Sequence, residues 1–244
     1  MAPLFLALFV LPAVGTGADP SSMAFEEAYK AYKAKDYGRA RALYGQACKG
    51  GDAVGCSNLG FMFDTGTGGT PDKARARALF DQACKGGNAQ GCYNLGFMFS
   101  TGRGGARDKA RARTFFDQAC KGGDARGCHN LGVMFRTGEG GARDEARARE
   151  LYGQACKDGE AVGCFSLGLM LETGMGGAKD KARARTLYEQ ACKGGDTKSC
   201  YGAGLMFSKG QGGAQDRARA RTLYDQACKG GHAKGCNNAA EMFR

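Results

Sequence analysis

The feature that most constrains this chain is a period. Its twelve cysteines fall into six pairs, Cys48 and Cys56, Cys84 and Cys92, Cys120 and Cys128, Cys156 and Cys164, Cys192 and Cys200, and Cys228 and Cys236. Every pair is C-x7-C, and every pair recurs 36 residues after the last. The surrounding residues recur with them: from Lys73 one unit reads KARARALFDQACKGGNAQGCYNLGFMFSTGRGGARD. Self-similarity at this period marks a supersecondary unit that cannot bury its apolar face alone and stacks on copies of itself.

Each unit carries two helical patterns. Ala76, Leu79, Phe80 and Ala83 recur at i, i+3, i+4 and i+7, one face of a helix. Asp72 is placed to cap its start, and Gly86-Gly87 to end it. Asn88 then caps a second helix with an Ala89, Cys92, Leu95, Phe99 stripe, which stops at the loop Thr101-Gly102-Arg103-Gly104-Gly105 before Asp108 caps the next unit. A glycine follows the leucine position in five of the six second helices (Gly60, Gly96, Gly132, Gly168 and Gly204). Mid-helix it costs about 1 kcal/mol against alanine, so its recurrence predicts that a neighbouring helix crosses closely there. The short turn makes the two helices antiparallel. Cys84 and Cys92 then stand equally far from that turn, and a bridge within each unit is geometrically reasonable. A nine-residue loop so closed gives about 2.5 kcal/mol in the chain-entropy model.

Residues 4–14 (LFLALFVLPAV) are apolar, too short to span a bilayer, and end in small residues at Thr16-Gly17-Ala18. They predict a signal peptide over 1–18, although no basic residue precedes the apolar run. Residues 19–35 predict a capping helix, and 36–244 the six repeats. Export to a secreted or periplasmic location fits an even count of twelve cysteines, which would pair in an oxidising compartment. No CxxC occurs, and only two histidines, His129 and His232, exist, so no metal site and no cofactor are expected. Cys128-His129 lacks the CxxCH of a haem attachment site, and His129 reads as a surface histidine. The TGxGG loops lack the strand and Lys-Ser/Thr of a phosphate cradle and read as structural turns.

The pattern A-x2-LY-x-QAC-x3-D-x2-GC-x2-LG-x-MF-x2-G-x-G-G-x2-D resembles the Sel1-like repeat, a longer relative of the tetratricopeptide repeat. More closely it is similar to the cysteine-rich secreted subgroup known from Helicobacter, in which C-x7-C pairs bridge the two helices of a repeat. The resemblance covers roughly 36–244 and implies an all-α, right-handed α/α solenoid of stacked antiparallel helix pairs with one disulfide per repeat. This chain departs from the family in reading G-x-G-G where G-x-G-V is usual, and in carrying Ala203 and Ala239 at the leucine position.

The resemblance also implies β-lactam binding or weak β-lactamase activity, since such proteins are often labelled so. The residues give that little support, because no S-x-x-K nucleophile motif and no histidine-rich zinc set is present. The function expected here is binding of protein or peptide by a monomeric scaffold, with a β-lactam or peptidoglycan-like ligand as the alternative. Two arginine ladders open the first helices: Arg39, Arg75, Arg111, Arg147, Arg183 and Arg219, and Arg41, Arg77, Arg113, Arg149, Arg185 and Arg221. Two residues apart on a helix, they point about 200° apart and line different faces. They either serve solubility and pair with acids such as Asp81 and Asp108, or form a basic stripe for acidic peptides or anionic polymers, in keeping with a net charge of +11. Export and the lack of stacking aromatics argue against nucleic acid. Glutamine precedes each first cysteine (Gln46, Gln82, Gln118, Gln154, Gln190 and Gln226), and Asn58, Asn94 and Asn130 recur in the second helices before giving way to Ser166 and Gly202. Asn58, Asn94, Asn130, Arg77, Arg113, Arg149 and Arg185 are the candidate ligand contacts.

Overall fold

A computed structural model describes residues 20–242. The predicted signal peptide over 1–18 lies outside them. Among the described residues every regular element is a helix: α1 (Pro20–Lys33), then six pairs, α2 (Tyr37–Lys49) and α3 (Ala53–Thr65), α4 (Lys73–Lys85) and α5 (Ala89–Thr101), α6 (Lys109–Lys121) and α7 (Ala125–Thr137), α8 (Glu145–Lys157) and α9 (Ala161–Thr173), α10 (Lys181–Lys193) and α11 (Thr197–Lys209), α12 (Arg217–Lys229) and α13 (Ala233–Glu241). None is long and apolar enough to cross a membrane. The chain forms two compact units, Met1–Gln118 and Ala119–Arg244. Within each, helix pairs stack on consecutive pairs, the all-α class expected from the period.

The helix ends follow from their residues. The carboxylates of Asp36, Asp72, Asp108, Asp144, Asp180 and Asp216 accept the backbone N–H three residues on, at 2.8–3.2 Å, at the start of each first helix. Each first helix then turns through a left-handed glycine, such as Gly87 at φ +83°, into the cap of the second. Asp52, Asn88, Asp124, Asp196 and His232 cap with their side chains; Glu160, one methylene longer than aspartate, makes no cap bond. Across each turn the cysteine pair is bridged, with Cα atoms 4.4–4.6 Å apart, and the chain has no free cysteine. The bridges belong to the core: Cys120 and Cys128 pack with Ala155 of the next first helix. Cys228 and Cys236 are half-buried, unlike the other ten.

The mid-helix glycines face the next pair, as their recurrence predicts, and an aromatic ring fills the space. A Cβ on Gly60 would meet Phe80 Cε1 at 2.9 Å and Ala76 O at 3.3 Å. The same seat takes Phe116 on Gly96, Tyr152 on Gly132, Tyr188 on Gly168 and Tyr224 on Gly204. Where a tyrosine occupies it, the hydroxyl reaches the end of the preceding second helix: Tyr188 donates to Glu172 at 2.8 Å, and Arg136 Nε donates to Tyr152 at 3.3 Å. The two repeats in which Ala203 and Ala239 replace leucine are those whose first-helix leucines, Leu187 and Leu223, are buried.

Two effects oppose each other at the seat. Alanine in place of glycine gains about 1 kcal/mol of helix propensity, and overpacking a rigid ring costs about 1–3 kcal/mol. A Cβ on Gly132 would lie 2.8 Å from the Tyr152 ring, against a buried neighbour with no room to withdraw, so packing wins. Gly132→Ala is expected to lower unfolding free energy by about 1–2 kcal/mol in denaturant titration. A gain in stability would refute the seat.

Candidate functional site

The TGxGG loops and the arginines form one device. In the loop after α3, Gly66 ends the helix in the left-handed conformation, at φ +80°, and Asp72 N returns to Phe63 O at 2.8 Å. Gly68, also at positive φ, lies against the Tyr37 carbonyl at the start of α2, where a Cβ cannot fit. Gly69 gives its side-chain space to the Arg41 guanidinium, which donates to Thr70 O at 3.2 Å. The geometry repeats. Arg77 donates to Ala106 O at 3.2 Å over Gly105, Arg149 to Ala178 O at 3.0 Å over Gly177, and Arg185 to Ala214 O at 3.1 Å over Gly213. The G-x-G-G departure from the usual G-x-G-V thus makes room for an arginine.

The guanidiniums also stack on the aromatic residue that ends the second-helix stripe. Arg41 lies 3.7 Å from the centre of the Phe63 ring and Arg77 3.6 Å from that of Phe99. The other ladder arrives at the same rings from the next repeat: Arg75 at 4.4 Å from Phe63 and Arg111 at 4.1 Å from Phe99. Reading one helix alone puts the ladders on different faces. Stacking brings the second arginine of one repeat and the first of the next to one ring. Burial and the neighbouring Arg111 charge hold Arg77 below the usual arginine range, with Asp108 acting the other way.

The predicted contact residues therefore do not converge on one point. Arg77, Arg149 and Arg185 stand on α4, α8 and α10 with their guanidiniums bound to loop carbonyls, and Arg113 on α6 is engaged as well. Asn58 and Asn94 are buried, and Asn130 is half-buried. Asn58 lies beside Tyr44, whose phenol is pushed up by burial while the amide works the other way. Of the acids expected to pair with the arginines, Asp108 is a helix cap and Asp81 pairs with Lys85 at 2.6 Å. Some glutamines link repeats: Gln82 donates to Cys48 O at 3.3 Å, and the amides of Gln118 and Gln226 lie 3.1 Å and 3.2 Å from the sulfurs of Cys84 and Cys192. His129 is not a surface residue. It packs on Tyr152, with ring centres 5.4 Å apart, 3.3 Å from Ser166 Oγ, because position 129 is where Tyr93, Phe165 and Tyr201 also pack on the next aromatic ring. Burial holds its pKa down, with the nearby Arg136 charge adding to this and Asn130 opposing. Among the described residues no cluster of three or more His, Cys, Asp or Glu could hold a metal ion.

One open concavity, of about 580 Å³, lies among α11, α12 and α13; three others lie between first helices. One of about 410 Å³ between α4 and α6 is floored by Leu95 and Phe99. One of about 770 Å³ lies between α8 and α10 over Leu167 and Leu187, and one of about 190 Å³ lies between α10 and α12. The α4–α6 and α8–α10 concavities each take second-helix side chains of one repeat together with first-helix side chains of two, which is why sequence reasoning missed them.

Helical hairpins stacked on one another within each unit, with a groove between first helices, define a tandem-repeat protein. The chain belongs to the Sel1 repeat family, whose repeat matches residues 31–52, 53–88, 89–124, 125–160, 161–196 and 197–232. It is similar in structure to a protective antigen of uropathogenic Escherichia coli displaying the same repeat fold, at 25% identity and TM-score 0.85 over 91% of this chain; the match spans 49% of that antigen, about half its length. A Sel1 repeat protein from Oxalobacter formigenes aligns at 22% identity and TM-score 0.80, over 93% of this chain and 89% of the other. Cysteine-rich protein B of Helicobacter pylori aligns at 24% identity and TM-score 0.43, over 52% of this chain and 91% of its own. No curated protein matches the chain.

Two outcomes check this geometry. Arg77→Ala should cost about 1–2 kcal/mol through loss of a carbonyl hydrogen bond and a cation–π contact. Arg149→Ala, at a loop whose ring position is Leu171, should cost about 0.5–1 kcal/mol less; equal costs in denaturant titration would contradict the stacking. Because the folded-state pKa of His129 is depressed, its contribution is whole above the unfolded value of about 6.5 and is lost as pH falls through the folded value. His129→Phe, matching Phe165, should flatten the fall in thermal midpoint below that pH.

Proposed function

We propose that the chain is an extracytoplasmic, disulfide-stapled scaffold that binds an extended protein segment along the grooves between its first helices. The recurring groove carries this reading: apolar floors of Leu95 and Phe99 between α4 and α6, Leu167 and Leu187 between α8 and α10, and Leu223 between α10 and α12 are each rimmed by arginine and lysine. An extended chain presents side chains at regular intervals to such a face, and repeat scaffolds present surfaces of this kind. The family assignment supports it, since Sel1 repeats usually mediate protein interactions. Six disulfides and no free cysteine fit an oxidising compartment, secreted or periplasmic.

Immobilised oxidised chain, probed with a tryptic digest of extracytoplasmic proteins, is expected to retain a reproducible set of peptides. Ala78→Arg together with Thr186→Arg fills two grooves and should strip that set. Val162→Arg together with Leu169→Arg, on the exposed face of α9, should not. The reverse result would move the binding face to the second helices and end this reading.

A further inference from the structure

The repeats are close to identical, so a groove that departs from the rest is informative. In the α10–α12 groove the first-ladder arginine, Arg219, is tied to Glu189 of the preceding repeat, with nitrogen and oxygen 2.7 Å apart. In the α4–α6 groove Arg111 stacks on Phe99. Arg183 occupies the same position in the α8–α10 groove and has neither partner. The residue in register with Glu189 is Gly153, and the ring position is Leu171. Among the described residues the Arg183 guanidinium is exposed, with no hydrogen bond, ion pair or ring contact.

The glutamines depart in the same place. Gln82, Gln118 and Gln226 rest against the preceding repeat, whereas Gln154 and Gln190 both line this groove with side-chain amides that take no partner among the described residues. Lys157 and Arg149 add positive charge, and Glu150 is the one carboxylate on the rim. The concavity is also the largest of the three first-helix grooves, about 770 Å³ against about 410 Å³ and about 190 Å³.

We propose that the α8–α10 groove is the selective subsite of the scaffold, taking an acidic side chain of a bound protein segment on Arg183, with an apolar neighbour of that acid on the Leu167–Leu187 floor. A planar guanidinium with all its donors free takes a carboxylate in two parallel hydrogen bonds. The two amides supply donors to the backbone or to the remaining carboxylate oxygen. In the other grooves the equivalent arginine is already held, bonded to Glu189 or stacked on a ring. Glu150 sets the limit of the site, since it repels a second acid placed beside the first. The inference rests on the peptide-binding reading above and adds which groove selects and for what.

Gly153 supplies the test. A Cβ there would touch only Leu167 Cδ2, at 3.8 Å, so a longer side chain is accommodated. Gly153→Glu restores an acid in the register of Glu189 and should engage Arg183 internally. The probes are two fluorescein-labelled decapeptide libraries on a Ser/Ala background, one with Leu and Glu two residues apart and the other with Leu and Gln. Fluorescence anisotropy with the full oxidised chain is expected to show the Glu library binding about tenfold more tightly, about 1.4 kcal/mol. Gly153→Glu and, separately, Arg183→Ala should each erase that preference while the Gln library binds as before. A Glu preference that survives in both variants overturns the subsite and leaves the scaffold reading standing. No binding of either library overturns both. Displacement by polyphosphate with no dependence on the leucine would assign the groove to a polyanion and overturn the peptide.

Discussion

An aromatic ring laid on a helical glycine holds successive repeats together. Phe80 on Gly60 and Tyr188 on Gly168 bring the ring edge within contact of backbone, which no residue with a side chain allows. That approach fixes how one hairpin meets the next, and the remaining features follow from it. Ala76 and its equivalents Ala148, Ala184 and Ala220 must be small because the helix axes are close, and all are fully buried. The loops must then turn sharply to return the chain to the next first helix, which is why Gly68 sits against the Tyr37 carbonyl. A hairpin of this size buries too little to fold alone, so stacking supplies the core while the disulfide limits the unfolded hairpin.

The arginines show how a charge becomes part of such a frame. Arg41 and Arg77 spread over a phenylalanine and close a loop through a backbone carbonyl. A guanidinium can do both at once because it is planar, weakly hydrated and rich in donors. Lysine has neither the plane nor the fork. The recurrence of arginine in a first helical turn, where the helix dipole disfavours it, is thus met by contacts outside the helix. The same contacts draw pairs of positive charges together, and the pKa of Arg77 is lowered first by burial and then by the neighbouring Arg111 charge.

What the sequence discloses depends on how local the cause is. Helix limits, caps and the bridged cysteine pairs are written within a few residues of where they act, and Asp72, Gly87 and Cys84–Cys92 stand where the residues alone place them. The glycine at position 60 announces a close approach but does not name Phe80, twenty residues on, as what approaches. Contacts between repeats are harder still. Arg41 and Arg75 look divergent on their own helices and meet at Phe63 only through stacking. Asn58 and Asn94 read as polar and available, yet lie inside, because a recurring polar residue marks either a face or an interior position and the period does not distinguish them. His129 looks solitary until it is aligned with Tyr93, Phe165 and Tyr201, which share its place.

In an array of near-copies, the shared residues are bound to explain the scaffold, since whatever recurs six times serves what all six repeats have in common. Specific recognition needs asymmetry, and asymmetry lies where one repeat lacks what the others have. Leu171 is such an absence, a leucine among phenylalanines, and Gly153, a glycine that only Gly45 matches in this register, falls in the same repeat. Together they remove both partners that hold the equivalent arginines, and the loss falls in one groove, facing two glutamines that have also left their usual contacts. A charged side chain without a partner on an exposed face is common and contributes little to stability. One surrounded by free donors, over an apolar floor, in a register where its counterparts are held by a ring or an acid, is arranged for a group that the chain itself does not supply.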